Sequence, residues 1–250
     1  MPVSKGPNIV NDGLVFAWHG ADSQSWKDVN SNTHYDLISG TAGTRGGANT
    51  ITYLGSNNPS KHIKFNGGGN RNCYISFPSA NITVPTGDEG TWMWANYFED
   101  AGNIDHPNFG KKTTGTWSGT NGFVFGTGWG TDGPRWGIGG QAYAIYGTTG
   151  GSTGDYRGNV WQIYAVTYQR NTVNGLKTYL ADRNGQRLVD ERTTSNYAIG
   201  SNSNALHIGA TNSRGGNWNG YMDFVYMWNR ALTQDEIFKN LKRVTSRFGL

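Results

Sequence analysis

Short aromatic runs separated by glycine and asparagine restrict the fold of this sequence more than any other feature. Glycine occurs 38 times in 250 residues, and aromatic residues make up 13% of the chain. The run GTWMWANYFED (Gly90–Asp100) would carry apolar side chains on both faces of a strand, as the interior strand of a sandwich does. VWQIYAVTYQ (Val160–Gln169) is a second such run. Many short runs with tight turns between them predict an all-β protein.

Charged residues are few and scattered, and this argues against a disordered chain and against a nucleic-acid-binding protein. They make up 15% of the chain, with a formal net charge of +4. Disordered chains usually have many charges and few aromatic residues, which is the opposite composition. The basic residues cluster only near the C-terminus (Lys239, Lys242, Arg243 and Arg247), where they complement the dipole of a helix. We therefore expect no nucleic-acid partner.

The sequence predicts one domain preceded by a short arm. The arm covers residues 1–12 and the domain covers residues 13–250, a length that β-sandwiches often reach as one unit. Neither a signal peptide nor a membrane-spanning run is apparent, so we expect synthesis in a cytoplasm and no membrane insertion. Cys73 is the only cysteine, so no internal disulfide can form.

The last strand is predicted to lead directly into a short C-terminal helix. Thr233 and Glu236 have the spacing of a capping box, and Leu232 and Ile237 that of a hydrophobic staple. Gly249 is suited to end the helix. One face of the helix would be apolar, made of Ile237, Leu241, Val244 and Phe248.

Two further local predictions concern a hairpin and a loop. Gly175–Thr193 predicts a β-hairpin in which Asn184-Gly185 supplies a type I′ turn, with positive φ at both central positions. The polar stretch Ala101–Asn121 predicts a long loop, with Asp105-His106 in a surface turn.

The segment GFVFGTGWGTDGPRWG (residues 122–137) carries the candidate binding site. It combines indole rings with polar side chains at Trp129, Asp132, Arg135 and Trp136. Sugar rings stack on exposed indoles, while polar side chains and backbone groups bind their hydroxyls. The sequence therefore predicts a glycan groove, to which Trp117 and Trp218 in other glycine-rich segments also belong. The alternatives are packing of tryptophan on glycine turns and contact with another protein subunit.

No pattern in the sequence indicates a metal site or a cofactor. The five histidines are dispersed without the spacing of zinc ligands. DRNGQRLVDE (residues 182–191) has some carboxylates of a calcium loop, but the predicted hairpin explains it better because no helices flank it. We expect neither a metal nor a cofactor.

The C-terminal third of the chain resembles a known family. ALHIGAT and WNGYMDFVYMWNRALTQDEI resemble the closing signature of laminin-G-like, concanavalin A-like jelly rolls. Upstream, NIVNDGLVFAWHGADSQSW, HYDLISG and IKFNGGGNRNCYISFP resemble the opening of such jelly rolls in tailed-bacteriophage virion proteins. The resemblance covers nearly the whole chain. The order of the motifs is more specific than any one of them.

The resemblance implies a concanavalin A-like jelly-roll β-sandwich of two antiparallel sheets with a short C-terminal α-helix. Some relatives hold a structural calcium ion in their loops. This chain departs from the family at Phe65-Asn66-Gly67 and Asn72-Cys73-Tyr74, where the family often has Phe-Asp-Gly and Asp-Asp-Tyr. Two carboxylates are lost there, and no clear motif supports a calcium ion.

Three functions are compatible with the resemblance. The first is a non-enzymatic virion protein, a capsid decoration, neck or fibre component present in multiple copies or as a homo-oligomer. Its arm (Met1–Asn11) would dock onto a neighbouring subunit, and the protein would contact a host surface polysaccharide. The second is a lectin-like carbohydrate-binding module. The third is a glycoside hydrolase, which we disfavour because the Glu-x-Asp-x-Glu run of laminarinase-type members is missing and Glu99-Asp100 would face opposite sides of a strand. We therefore expect no catalytic residues.

Overall fold

The computed structural model describes residues 9–20, 22–26, 31–47, 51–53, 62–66, 73–99, 106–112, 122–127, 134–144, 159–210 and 219–250. Within these ranges the chain forms short strands and one α-helix. They are β1 (Leu14–His19), β2 (Thr33–Tyr35), β3 (Ala42–Gly46), β4 (Ile51–Tyr53), β5 (Ile63–Asn66), β6 (Tyr74–Phe77), β7 (Glu89–Phe98), β8 (His106–Lys112), β9 (Gly122–Thr127), β10 (Pro134–Ile138), β11 (Gln141–Ala144), β12 (Trp161–Gln169), β13 (Leu176–Asp182), β14 (Gly185–Arg192), β15 (Leu206–Ile208), β16 (Asn219–Trp228) and α1 (Gln234–Thr245).

The strands form two antiparallel sheets of eight strands each. Sheet A has the order β14-β13-β12-β7-β16-β5-β4, with β1 also paired to β16. Sheet B has the order β11-β10-β9-β8-β15-β6-β3-β2. The two sheets and the single helix confirm the predicted concanavalin A-like β-sandwich.

Aromatic side chains fill the space between the sheets. Strand β7 directs Trp92, Trp94 and Phe98 into this core, because successive side chains of a strand point to opposite faces. The Trp94 ring packs edge-on against Trp136 of sheet B, with ring centroids 5.1 Å apart, and against Phe109 at 5.3 Å. Edge-to-face contacts of this kind add to the apolar burial and fix the position of one sheet over the other.

Helix α1 covers the outer face of sheet A. A second apolar cluster lies there, in which Trp228 of β16 packs with Ile237 and other helix residues. The N-terminal segment is attached to the same face: the Val10 N–H donates to Asn240 Oδ1 (2.8 Å), and Trp228 Nε1 donates to the Val10 carbonyl (2.7 Å). Ile9 and Leu250 also pack against this cluster.

The helix begins and ends where the sequence predicted. The Thr233 side chain accepts from the Glu236 N–H and the Glu236 carboxylate accepts from the Thr233 N–H, which completes the capping box. Arg230 donates two hydrogen bonds to the same carboxylate (2.9 and 2.7 Å) and lowers the pKa of Glu236 to about 2. Gly249 has the left-handed φ of 69° that ends the chain's helical segment. In the described part of the chain, no helix is long and apolar enough to span a membrane.

Two local predictions were wrong. The stretch predicted as a long loop contains strand β8, whose backbone pairs with β9 and β15. The predicted hairpin forms, but its turn is not type I′: Asp182 pairs with Gly185, and neither residue between them has positive φ. Instead Gly185 has a φ of 94°, and the Asn184 N–H donates to Asp182 Oδ1 (2.8 Å), so the aspartate side chain closes the turn.

A fully buried histidine is enclosed at the edge of sheet B. His34 of β2 stacks on Trp26, with ring centroids 5.2 Å apart. Its Nε2 accepts from Arg45 Nε (3.1 Å), and its Nδ1 lies 3.4 Å from Trp18 Nε1. Burial, together with the neighbouring Arg45 charge, lowers the pKa of His34 to about 3. The ring is therefore neutral at ordinary pH.

Candidate ligand-binding site

Strand β8 places a lysine inside one end of the sandwich. Phe109 and Lys111 are two residues apart, so their side chains point to the same face of the strand, the face that meets the core. Lys111 pairs with Phe123 of β9, and both residues are buried, the lysine with 6% of its surface exposed. Lysine is almost never this buried unless it has a partner.

Lys111 lines a cavity of about 290 Å³ at this end of the sandwich. The floor and walls combine apolar side chains (Ile82, Val84 and Phe123) with two glycines (Gly122 and Gly200). The remaining lining residues carry hydroxyl or amide groups: Ser79, Thr83, Thr86, Ser201 and Asn202. The polar lining residues outnumber the apolar ones, and converging polar groups of this kind orient a ligand in a small-molecule site, although the volume is near the lower limit for such sites.

A closed set of hydrogen bonds holds the polar wall in place. Lys111 Nζ donates to Ser79 Oγ, and the Ser79 hydroxyl in turn donates to the Asn202 carbonyl (3.1 Å). The Asn202 side chain donates back to the Lys111 carbonyl (3.4 Å). The three residues come from three separate segments, so the bonds fix the shape of the wall. Burial lowers the pKa of Lys111.

Gly122 is required at the position where β9 begins. Its φ is 111°, and a Cβ added there would lie 2.0 Å from the Lys111 carbonyl oxygen. No other residue type can bring the two backbones this close. The glycine therefore lets β9 pack directly against the end of β8 and sets the position of Lys111.

The structure contradicts one of the predicted groove residues. Trp136 is 1% exposed and belongs to the core between the sheets. Its Nε1 donates to Thr178 Oγ1 of sheet A (3.1 Å), so the indole is satisfied internally. A sugar cannot stack on this ring, because it packs between the two sheets, which was neither the predicted groove nor one of the stated alternatives.

Arg135 remains compatible with a groove at the other end of sheet B. Strand alternation places it on the face opposite to Trp136, and it is half-buried. It pairs with Gly126 near the end of β9. Gly126 is four residues from Gly122, which lines the Lys111 cavity, or about 13 Å at 3.3 Å per residue. Trp117, Trp129, Asp132 and Trp218 lie outside the described residues, so their part in a groove stays a prediction.

Buried carboxamides lie between the sheets toward the same end as Arg135. Asn108 Nδ2 of sheet B donates to Asn96 Oδ1 of sheet A at 3.3 Å, and both residues are at most 2% exposed. Within the described ranges, Asn96 Nδ2 and Asn108 Oδ1 have no hydrogen-bond partner. An interior site this polar is suited to an ordered water molecule.

A charged cluster is buried under the C-terminal segment on the outer face of sheet A. Asp223 is fully buried, 3.0 Å from His62 Nδ1 and 3.2 Å from Arg247 Nη1. His19 Nε2 lies 3.7 Å from the same carboxylate. Burial opposes ionisation of Asp223, but the three basic groups outweigh it and hold the pKa below the ordinary value. The cluster attaches the chain end to β16.

No metal centre emerges from the part of the chain that the structure describes. There, no group of three or more His, Cys, Asp or Glu side chains is arranged to hold a metal ion. In the cluster around Asp223, the guanidinium of Arg247 occupies the position beside the carboxylate that a cation would need.

Comparison with protein families identifies the chain's relatives. Residues 66–238 match a laminin G model described as the concanavalin A-like lectin/glucanases superfamily. The chain belongs to this superfamily. The match begins at the end of β5 and ends in helix α1, so it includes strands of both sheets and the residues that line the Lys111 cavity, but not β1–β4. Among curated proteins, no match was found for this superfamily member.

Solved structures share the superfamily fold with this chain at low sequence identity. Domain 4 of AbnA, a GH43 extracellular arabinanase from Geobacillus stearothermophilus, solved in complex with arabinotriose, has a TM-score of 0.58 at 16% identity, covering 92% of this chain and 99% of that one. A mutant Trypanosoma rangeli sialidase displaying trans-sialidase activity has a TM-score of 0.57 at 16% identity, covering 100% of this chain but 36% of the sialidase.

A third similar structure is the binding domain of Paraclostridial Mosquitocidal Protein 1. Its TM-score is 0.55 at 14% identity, covering 94% of this chain and 52% of that one. At these identities the likeness establishes the fold alone. The superfamily fold is therefore found in domains of glycoside-cleaving enzymes and in a binding domain.

Proposed function

We propose that this chain is a non-enzymatic carbohydrate-binding protein of a tailed-phage particle, which contacts a polysaccharide of the host surface. The cavity at Lys111 is the observation that carries the carbohydrate part. It places the apolar side chains of Ile82 and Val84 beside hydroxyl and amide groups, and sugars need both kinds of contact.

The size and rigidity of the cavity favour a small part of a glycan. A volume of about 290 Å³ suits one sugar unit better than a long chain. The hydrogen bonds between Ser79, Asn202 and Lys111 hold the wall before a ligand arrives, so little ordering is needed on binding. A single unit bound in this way gives weak affinity, which many copies on a particle would raise by avidity.

The chemistry of the lining favours binding over hydrolysis. Glycoside hydrolases need two carboxyl groups that flank the scissile bond. Among the described lining residues, Lys111 carries the only charge and no carboxylate is present. Glu99, one of the two adjacent acids in the sequence, forms an ion pair with Lys64 (2.7 Å) and lies outside the cavity.

The phage part of the proposal is supported by the order of sequence motifs that resembles phage virion jelly rolls. A capsid decoration, a neck component and a fibre component all agree with it, as does assembly in several copies with other virion proteins. Residues 9–11 of the arm are attached to the chain's own helix by Val10, so any docking onto a neighbour would use residues before Ile9.

Two exposed threonines allow a matched test of the cavity. Thr86 lines the cavity and Thr193 does not, and each can be replaced by phenylalanine at the surface. We expect the unmodified protein to bind host envelope polysaccharide saturably in a surface-immobilised assay, Thr86→Phe to abolish binding, and Thr193→Phe to leave it unchanged. Binding by neither the protein nor its variants would refute carbohydrate binding. Equal binding by all three would refute the cavity as the site.

Quantitative mass spectrometry of purified phage particles tests the second part. We expect the chain in the particles, and its copy number relative to the major capsid protein separates a decoration, with many copies, from a neck or fibre component, with few. Absence of the chain from intact particles would refute the virion role and leave carbohydrate binding to stand alone.

A further inference from the structure

The ammonium group of Lys111 has unused binding capacity inside the cavity. A lysine ammonium has three N–H donors, and in the described chain its only hydrogen-bond acceptor is Ser79 Oγ. That acceptor is a neutral hydroxyl whose own proton is directed to the Asn202 carbonyl. Two N–H donors of Lys111 are therefore available to a ligand in the cavity.

The charge of Lys111 also has no counter-charge among the described residues. Three half-buried cations differ from Lys111 in this respect, because each has a carboxylate partner: Arg247 with Asp223 (3.2 Å), Lys64 with Glu99 (2.7 Å) and Arg187 with Asp182 (2.9 Å). Burial is the one influence on the pKa of Lys111, which it lowers, whereas a nearby carboxylate would raise it. An isolated buried ammonium is unfavourable, so an arriving anion would gain more here than at an exposed lysine.

We propose that the cavity binds a carboxylated sugar, such as a uronic acid, with its carboxylate on Lys111 Nζ. This inference rests on the proposed function and names the class of glycan. The carboxylate would accept from the free N–H donors of Lys111, while the ring packs near Ile82 and Val84 and its hydroxyls meet Thr83, Thr86 or Ser201. The lysine thereby provides selectivity for acidic sugars over neutral ones.

A single lysine favours a carboxylate over a phosphate. A carboxylate carries one negative charge, which one ammonium neutralises, whereas a phosphate monoester carries nearly two at neutral pH. The second charge would remain in a cavity whose other described lining groups are neutral. Uncompensated buried charge is strongly unfavourable.

The test compares a carboxylated sugar with its neutral counterpart and with two small anions that lack a sugar ring. Binding of glucuronate, glucose, acetate and inorganic phosphate is measured by NMR titration, with the unmodified protein and with Lys111→Met, which keeps the length of the side chain and removes the charge. Lys177→Met is the matched control, because Lys177 lies on the surface of β13 beside Glu191 and outside the cavity. Circular dichroism confirms that each variant is folded.

We expect glucuronate to bind about ten-fold or more tightly than glucose, since hydrogen bonds to a charged group are worth roughly 1.5–3 kcal/mol. Lys111→Met should remove this preference and Lys177→Met should keep it. Equal binding of glucuronate and glucose would overturn the inference and leave the proposed function intact. Acetate or phosphate binding as tightly as glucuronate would also overturn it, because the site would then recognise an anion without a sugar. If the unmodified protein bound neither sugar, the result would instead refute the proposed function.

Discussion

Replacing His34 by glutamine should remove a large part of the acid sensitivity of this protein. The imidazole is fully buried against Trp26 and accepts a hydrogen bond from Arg45 Nε at Nε2. Protonation of that nitrogen would break the bond and place a second positive charge beside the guanidinium. Glutamine can present its side-chain oxygen to Arg45 in a similar position but does not titrate.

The size of the effect follows from the pKa of about 3 in the folded state and the ordinary value of 6.5 in the unfolded chain. Because the folded pKa is the lower one, the stability is complete above pH 6.5 and is lost as the pH falls toward 3. Between these values the unfolded chain binds a proton that the folded chain does not, so the free energy of unfolding falls by about 1.4 kcal/mol per pH unit. At pH 4.5, two units below 6.5, the loss is about 3 kcal/mol.

Urea unfolding at pH 8, 6, 5 and 4.5, followed by tryptophan fluorescence, measures this change. His34→Gln should be less stable than the unmodified protein at pH 8, and the difference should shrink by about 3 kcal/mol by pH 4.5. Burial also lowers the pKa of His207, to about 4, and this residue titrates alike in both proteins, so the difference isolates His34. A stability difference that does not change with pH would refute the reasoning, since His34 would then protonate equally in both states.

Three further substitutions test other parts of the structure by the same unfolding measurement. Asp223→Asn should cost about 3–5 kcal/mol, because it leaves the buried His19 and His62 and the half-buried Arg247 without their carboxylate. Asp12→Asn, at an exposed ion pair with Arg230, should cost under about 1 kcal/mol; similar losses would contradict the burial argument. Gly122→Ala should cost more than Gly40→Ala, because both have positive φ but only Gly122 has a backbone atom in the way; equal losses would show that the contact relaxes. Trp136→Ala should cost about 3–5 kcal/mol through loss of core packing; a stable variant with impaired glycan binding would restore Trp136 to the groove.

The strands that carry most of the core could be predicted because their sequences are locally unambiguous. In β7 and β12 the aromatic and β-branched residues alternate so densely that no other element fits them. The helix could be located from Thr233 and Glu236 alone, because a capping box is formed by neighbours in sequence. Local chemistry decides such elements, and distant residues change them little.

Strand β8 could not be predicted because its extended conformation depends on pairing with neighbouring strands. HPNFGKK contains one large apolar residue, Phe109, and its backbone becomes a strand by pairing with β9 and β15. The same cause hid Lys111, since a lysine in a polar stretch is normally exposed. The spacing of Phe109 and Lys111 by two residues is the only local signal, and it has meaning only once the strand is known.

Trp136 was assigned to the groove because its glycine-rich segment combines indole rings with polar side chains, a composition that does not show which way each ring points. Proline begins β10 directly before Arg135, at a position where a strand tolerates it, and the tryptophan already points into the core one residue later. Whether an indole faces a sugar or another ring depends on which sheet lies opposite. Here that sheet supplies Trp94 and Thr178, which are distant in sequence.

The attachment of Val10 to Asn240 and of Leu250 to the same apolar cluster has a consequence for engineering. Val10 and the C-terminal Leu250 lie on one face of sheet A, whereas the Lys111 cavity opens at an end of the sandwich. With the residues before Ile9 removed, a linker could join Ile9 to Leu250, and new ends could be opened at an exposed turn such as Arg183-Asn184 without breaking a strand. The fold is thus suited to circular permutation. A permuted protein should keep the same cavity, but its attachment point to another protein would lie at the new chain ends.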